Sequence, residues 1–372
     1  MSLFVSDDSL PHDLILAYLQ DKINLTPARL NQILKFYPDL NSALNDDFEE
    51  LKTLKPKWLA KYKPANPEPK IAELQKLIKD NEIQLLTFEQ PDYPQSLKVL
   101  SNFPLVLYCC GSTKNISNPL MLTVVGSRQI DTYSQTILPS ILGSVCRSGV
   151  GVVSGLAIGI DTLAHRTALD NDSFTIGVIG SGHCKEVFYP SQNCNMLKQI
   201  VDTGGCVLSE YSPMTSPNVY TFPQRNRILA ALTDLTWVVQ AAKDSGSLIT
   251  SVQAREHGKT VATTPADIRN SNFLGNLQLL KQGASIITES IDVFDLLGLK
   301  THPEINTQIT IQFGSQEESK VYSHLTILPQ TVEIIATKCK FNSTEISTHL
   351  SLLELNGLAI CLGQNEWIKV VV

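Results

Sequence analysis

Met121-Leu-Thr-Val-Val125 runs directly into Gly126-Ser127-Arg128, and Gly151-Val-Val-Ser154 runs into Gly155 in the same way. Both runs are apolar at consecutive positions instead of alternating, which is what a strand covered on both faces of a parallel sheet requires. Thr175–Ile179, Cys206–Ser209, Leu235–Gln240, Thr260–Thr263 and Ser285–Thr288 have the same character. Between them Tyr133–Arg147, Thr162–Leu169 and Leu248–His257 have helical length and spacing. This alternation predicts an α/β fold, a doubly wound, Rossmann-like parallel sheet over residues 118–300. In such sheets a ligand binds beyond the carboxyl ends of the strands, where the polar motifs of this chain fall.

The flanks differ in composition. Residues 1–112 read mainly as helices with short strands at their end; Thr26-Pro27 has the form of an N-cap followed by proline at N1. Lysines 52, 55, 57, 61, 63, 70, 76 and 79 make its second half locally basic, which reads as a solvated face, with a secondary nucleic-acid contact as the alternative. After a polar linker at 301–315, residues 316–372 read as three helices (Val321–Leu328, Thr331–Cys339 and Ser343–Asn356) and a two-stranded wing, a winged-helix pattern. Four lysines against six glutamates over 315–372 leave a net −2, so a helix reading a DNA groove would lack cations. A protein-contact or regulatory role is expected for it.

The 372 residues exceed one ordinary domain, and a 43% hydrophobic, 18% charged chain has the material for packed cores. The eight cysteines form no C-x-x-C pair, so reduced thiols in a cytoplasmic protein are expected, with no metal site. No signal peptide is visible and no apolar stretch approaches the ~18 residues of a membrane span. A net charge of −6 argues against broad adhesion to nucleic acid, so any such binding needs a local cluster.

Four strand-end motifs supply that cluster. Gly126-Ser127-Arg128 offers close backbone approach, a hydroxyl and a guanidinium to an oxyanion. Ser154-Gly155-Leu-Ala-Ile-Gly159-Ile-Asp161-Thr-Leu-Ala-His165 forms a tight strand-to-helix connection whose amides can face an anion. Asp161 and His165 lie four apart, yet no nucleophile accompanies them, and a structural role is expected for the pair. Gly177-Val-Ile-Gly180-Ser181-Gly182 holds only part of a dinucleotide fingerprint; it suits a small-residue floor for a phosphate or base. No Walker A sequence is present. Phe222-Pro-Gln-Arg225-Asn226-Arg227 sets two arginines beside an aromatic ring at the apparent start of a helix, followed by Asp244-Ser245-Gly246-Ser247-Leu-Ile-Thr250. Stacking surfaces beside phosphate donors are the means by which single strands are gripped.

These motifs, in this order, resemble the DNA-processing protein A family (DprA, also called Smf), and the likeness extends upstream through Pro91-Asp-Tyr-Pro94 and downstream into the last domain. The resemblance implies an extended Rossmann domain with an N-terminal helical domain of sterile-alpha-motif type and a C-terminal winged helix. It also implies a bacterial cytoplasmic, non-catalytic protein that binds single-stranded DNA, protects it during natural transformation and loads the RecA recombinase. A homodimer through the Rossmann domain is implied, and no cofactor. By position, Arg128, Arg225 and Arg227 would contact phosphates beside Phe222 and Asn226. Gly126, Ser127, Gly155, Gly182, Ser245, Gly246, Ser247 and Thr250 would form the rim. Three positions depart from the pattern: Asn218 where relatives often carry a cation, Gln240-Ala241 for Glu-Ala, and Ala266 for glycine. A missing cation would lower the salt slope of binding by about one unit. The alternative is a nucleotide-processing enzyme of the lysine-decarboxylase-like phosphoribohydrolase type, whose Pro-Gly-Gly-x-Gly-Thr loop and catalytic glutamate this chain lacks. A third reading is a structural protein recruiting partners through the winged helix.

Overall fold

The computed structural model describes residues 10–60, 62, 66–299, 313–363 and 365–370. The expected linker falls largely outside these residues. The chain divides into two compact units, Met1–Thr301 and His302–Val372.

The first unit is built on a nine-stranded sheet. Its strands are β1 (Ile83–Thr87), β2 (Val106–Gly111), β3 (Met121–Val125), β4 (Gly151–Ser154), β5 (Thr175–Ile179), β6 (Cys206–Ser209), β7 (Leu235–Val238), β8 (Thr260–Thr263) and β9 (Ser285–Ile286). They lie in the order β1-β2-β6-β5-β4-β3-β7-β8-β9. From β6 to β9 every pairing is parallel, whereas β1 and β2 add an antiparallel margin at β6. The winding runs outward from β3 to β6, then restarts at β7 on the other side of β3. This is the reversal that opens a crevice above the carboxyl ends of two neighbouring strands. Helices Thr132–Arg147 and Ile160–Asp170 bury Leu138, Ile141, Ala164 and Ala168 against one face of the sheet. Helix Thr221–Leu232 buries Ile228, Leu229 and Leu232 against the other.

Two strands end earlier than the apolar runs suggest. Leu235–Gln240 stops at Val238 because Gln240 turns into the loop after β3: its backbone carbonyl accepts from Ser127 N (2.8 Å) and its amide donates to Gln129 O (2.9 Å). The last strand is only Ser285–Ile286.

Among the described residues, five helices between His12 and Asp80 pack on the β1–β2 margin around Leu16, Leu19, Ile33 and Phe48. The second of them starts as the sequence indicates, with Thr26 Oγ1 accepting from Arg29 N ahead of Pro27. Buried Gln20 fastens this layer to the sheet, its amide nitrogen donating to Val106 O (2.8 Å) and Glu210 O (2.9 Å).

The second unit holds helices Gln316–His324, Val332–Cys339 and Ser343–Leu355 and a small sheet. The strands of that sheet are β10 (Gln330–Thr331), β11 (Ala359–Gly363) and β12 (Glu366–Lys369), in the order β10-β12-β11. The first helix begins five residues before the apolar run suggests, because Ser315 Oγ caps it through Glu318 N (3.1 Å), and Leu325 ends it in extended backbone. The last helix has the expected capping box, Asn342 with Glu345. Among the described residues, no helix is long and apolar enough to cross a membrane.

Candidate nucleic-acid interface

A cleft of about 610 Å³ opens above β3 and β7, where the winding reverses. Gly126, Ser127 and Arg128 line it from the loop after β3, and Phe222, Arg225 and Asn226 from helix Thr221–Leu232. Ser245, Gly246, Ser247 and Thr250 line it from the turn that opens helix Ser247–Glu256. Gly155 belongs to an adjoining recess with Ile158, Gly180 and Tyr189, which shares Arg128, Phe222 and Arg225 with the main cleft.

The loop after β3 is held rigidly. Besides the two Gln240 bonds, Ser127 O accepts from Ile160 N (3.0 Å), and Asp131 N donates to Gln240 Oε1 (3.2 Å). Gly159, at φ 93°, is required beneath it: a β-carbon there would lie 2.3 Å from Ser127 O. This bracing leaves the Arg128 side chain exposed at the mouth of the cleft. Its guanidinium stands 5.7 Å from the centre of the Phe222 ring, and among the described residues no carboxylate is within ion-pair distance of it. Phe222 is half-buried, and Tyr189, 43% exposed, lies against it at 5.5 Å between ring centres. Ile158 adds a further exposed apolar side chain to the recess. Ser245 Oγ and Ser247 Oγ are 2.8 Å apart, beside the N-terminus of a helix whose dipole favours an anion.

The two arginines of the Phe-Pro motif do not act together. Arg225 is 6% exposed and sits beneath the cleft, its Nη1 donating to the carbonyls of Gly155 (2.5 Å) and Val178. Gly155 is what admits it, since a β-carbon there would meet Arg225 Nη1 at 2.4 Å. Arg227 is directed away from the cleft into an ion pair with Glu210, both side chains largely buried. Gly182 also lies outside, its N–H donating to Thr215 O (2.8 Å) with Pro213 packed against it.

Asp161 forms part of the cleft floor. Its Oδ2 accepts from Gly155 N (3.1 Å) and Ala157 N (3.4 Å), and burial pushes its pKa up to about 6 against the opposing charge of Arg225. His165, fully buried, shares a hydrogen bond with Thr175 Oγ1 (2.7 Å), and burial together with Arg225 holds its pKa down near 3. The two therefore brace the strand-to-helix turn, as their sequence context indicates. Asn218 shapes the turn ahead of the arginine-bearing helix: its Oδ1 accepts from Tyr220 N (2.9 Å) and Thr221 N (3.2 Å). Sequence reasoning passed over Lys243 and Ile158, both lining residues; Lys243 stands two residues before the Ser-Gly-Ser motif and could have been found from that proximity. Among the described residues, no cluster of His, Cys, Asp and Glu could hold a metal ion.

Fold and site together define a mixed α/β protein whose large, mostly parallel sheet carries a polar and aromatic cleft at its carboxyl edge. The chain belongs to the DNA recombination-mediator protein A family, whose sequence profile matches residues 84–298. It is 33% identical over 245 residues to the DNA processing protein DprA of Bacillus subtilis, covering 66% of this chain and 80% of that one. The X-ray structure of DNA processing protein A from Streptococcus pneumoniae matches with a TM-score of 0.61 at 29% identity, over 77% of this chain and 98% of that one. DNA processing protein A from Helicobacter pylori, solved for its single-stranded DNA binding mode, matches with a TM-score of 0.52 at 29% identity, over 59% of this chain and 98% of its own.

Proposed function

We propose that this protein binds single-stranded DNA in the cleft above β3 and β7 and acts as a non-catalytic recombination mediator. In this reading it protects incoming strands during natural transformation and loads RecA onto them. The observation that carries the reading is the exposed Arg128 guanidinium beside the Phe222 ring, bordered by the Ser245–Ser247 turn. A nucleotide chain needs that combination, since each base offers a face to stack on and each linkage a charge to neutralise. The single-strand binding reported for the Helicobacter pylori relative supports the same reading. Cleavage of a nucleotide finds no support in the cleft. Asp161 is occupied by two backbone amides, and Gln240, an amide and not a carboxylate, is spent on the loop after β3.

The family also suggests a sterile-alpha-motif character for the N-terminal helices, a winged helix for the second unit, a cytoplasmic location and a homodimer formed through the sheet-bearing unit. The central test is salt-titrated binding of fluorescent oligothymidylate, compared with duplex of equal length. Preferential single-strand binding that falls with salt is expected, and equal or absent binding would refute the reading. RecA loading is tested by filament formation on strands pre-coated with a single-strand-binding protein. Sedimentation measures the dimer.

A further inference from the structure

Among the described residues, three cations line the cleft, Arg128, Arg225 and Lys243, and Arg227 of the same motif points away from it. Arg225 donates into the carbonyls of Gly155 and Val178, and Arg227 is paired with Glu210. Those that remain exposed are Arg128, on the loop after β3, and Lys243, on the loop after the adjacent strand β7. Lys243 lines the same cleft as Ser245 and Ser247, and among the described residues no carboxylate is within ion-pair distance of it. A single exposed guanidinium neutralises one linkage of a strand that carries a charge at every linkage, and Lys243 is the other exposed cation among the described residues lining the cleft.

We propose that Lys243 is the second phosphate contact of the cleft, so that the strand backbone passes from Arg128 to Lys243 across the Ser245–Ser247 hydroxyls. This rests on the single-strand reading above and extends it to a residue outside the shared motifs. A flexible lysine on an exposed loop acts as a point charge, so arginine should serve equally well there.

The test uses the full chain and a fluorescent oligothymidylate, with wild type, Arg128→Ala, Lys243→Ala and Lys243→Arg titrated across salt. Lys243→Ala should weaken binding about three- to tenfold near physiological salt and reduce the salt slope by about 0.7. Lys243→Arg should restore both. Because Lys243 is exposed, Lys243→Ala should unfold at the wild-type temperature, which separates lost contact from lost fold. If Lys243→Ala binds with wild-type affinity and slope while Arg128→Ala is impaired, Lys243 is no contact and the proposal fails with the single-strand reading intact. If the wild type itself does not bind, the reading beneath the proposal fails as well.

Discussion

Arg225 and Arg227 are two residues apart on an α-helix, so their side chains leave it roughly 200° apart around the axis. One guanidinium faces the strand ends beneath the cleft and the other faces Glu210. The variants should therefore separate. Arg227→Ala leaves the Glu210 carboxylate largely buried and unpaired, and should cost about 3 kcal/mol of stability with oligonucleotide affinity per folded molecule retained. Arg128→Ala removes an exposed side chain and should do the reverse, lowering affinity at an unchanged melting temperature; denaturant melts and anisotropy on the same samples decide. Asp244 is an exposed carboxylate lining the cleft beside Lys243. Asp244→Asn should raise affinity for oligothymidylate by a few-fold and steepen its salt dependence. An unchanged affinity would place the strand away from that lip.

At the scale of elements, the helix carrying the Phe-Pro motif begins at Thr221, after a turn that Asn218 Oδ1 holds through Tyr220 N and Thr221 N. The arginines thus lie in the second turn, one turn beyond the free amides that a helix start offers an anion. The sequence conceals this because Val219 and Tyr220, both exposed, intervene between Asn218 and the helix. Asn218→Ala, which removes the acceptor of two backbone amides, should destabilise the protein by about 1 kcal/mol. Asn218→Lys should melt earlier for the same reason, so any gain in affinity from the added cation comes with a looser helix start. Thermal melts of both variants check this. The strands show the converse. Their continuous apolar runs made five of seven legible to the residue, and Leu235–Gln240 was over-read because Gln240 leaves the ladder for bonds its neighbours in sequence cannot reveal.

Across the whole molecule, acid should be destabilising. His183 is fully buried, shares a hydrogen bond with Val207 O (2.9 Å), and burial lowers its pKa to about 4, while His165 is held near 3. Both folded-state values lie below the ordinary 6.5, so the stability these neutral rings contribute is complete above pH 6.5 and is lost as pH falls towards 4. Asp161, raised to about 6, works in the opposite direction between pH 6 and 4 and offsets part of the loss. His183 alone should contribute on the order of 3 kcal/mol of this decline. Denaturant midpoints at several pH values should show it, and His183→Gln should flatten the curve. The class of fold was determined by the sequence alone, because burial on both faces imposes a local pattern, unbroken apolar runs of strand length. So were the loops that border the cleft, because glycines, hydroxyls and cations at strand ends mark themselves. Which cations remain available to a ligand was decided by tertiary structure. Arg225 and Arg227 are spent on partners distant in sequence, whereas Arg128 and Lys243 are left exposed. A side chain's type is written in the chain, but its availability depends on what the fold brings against it.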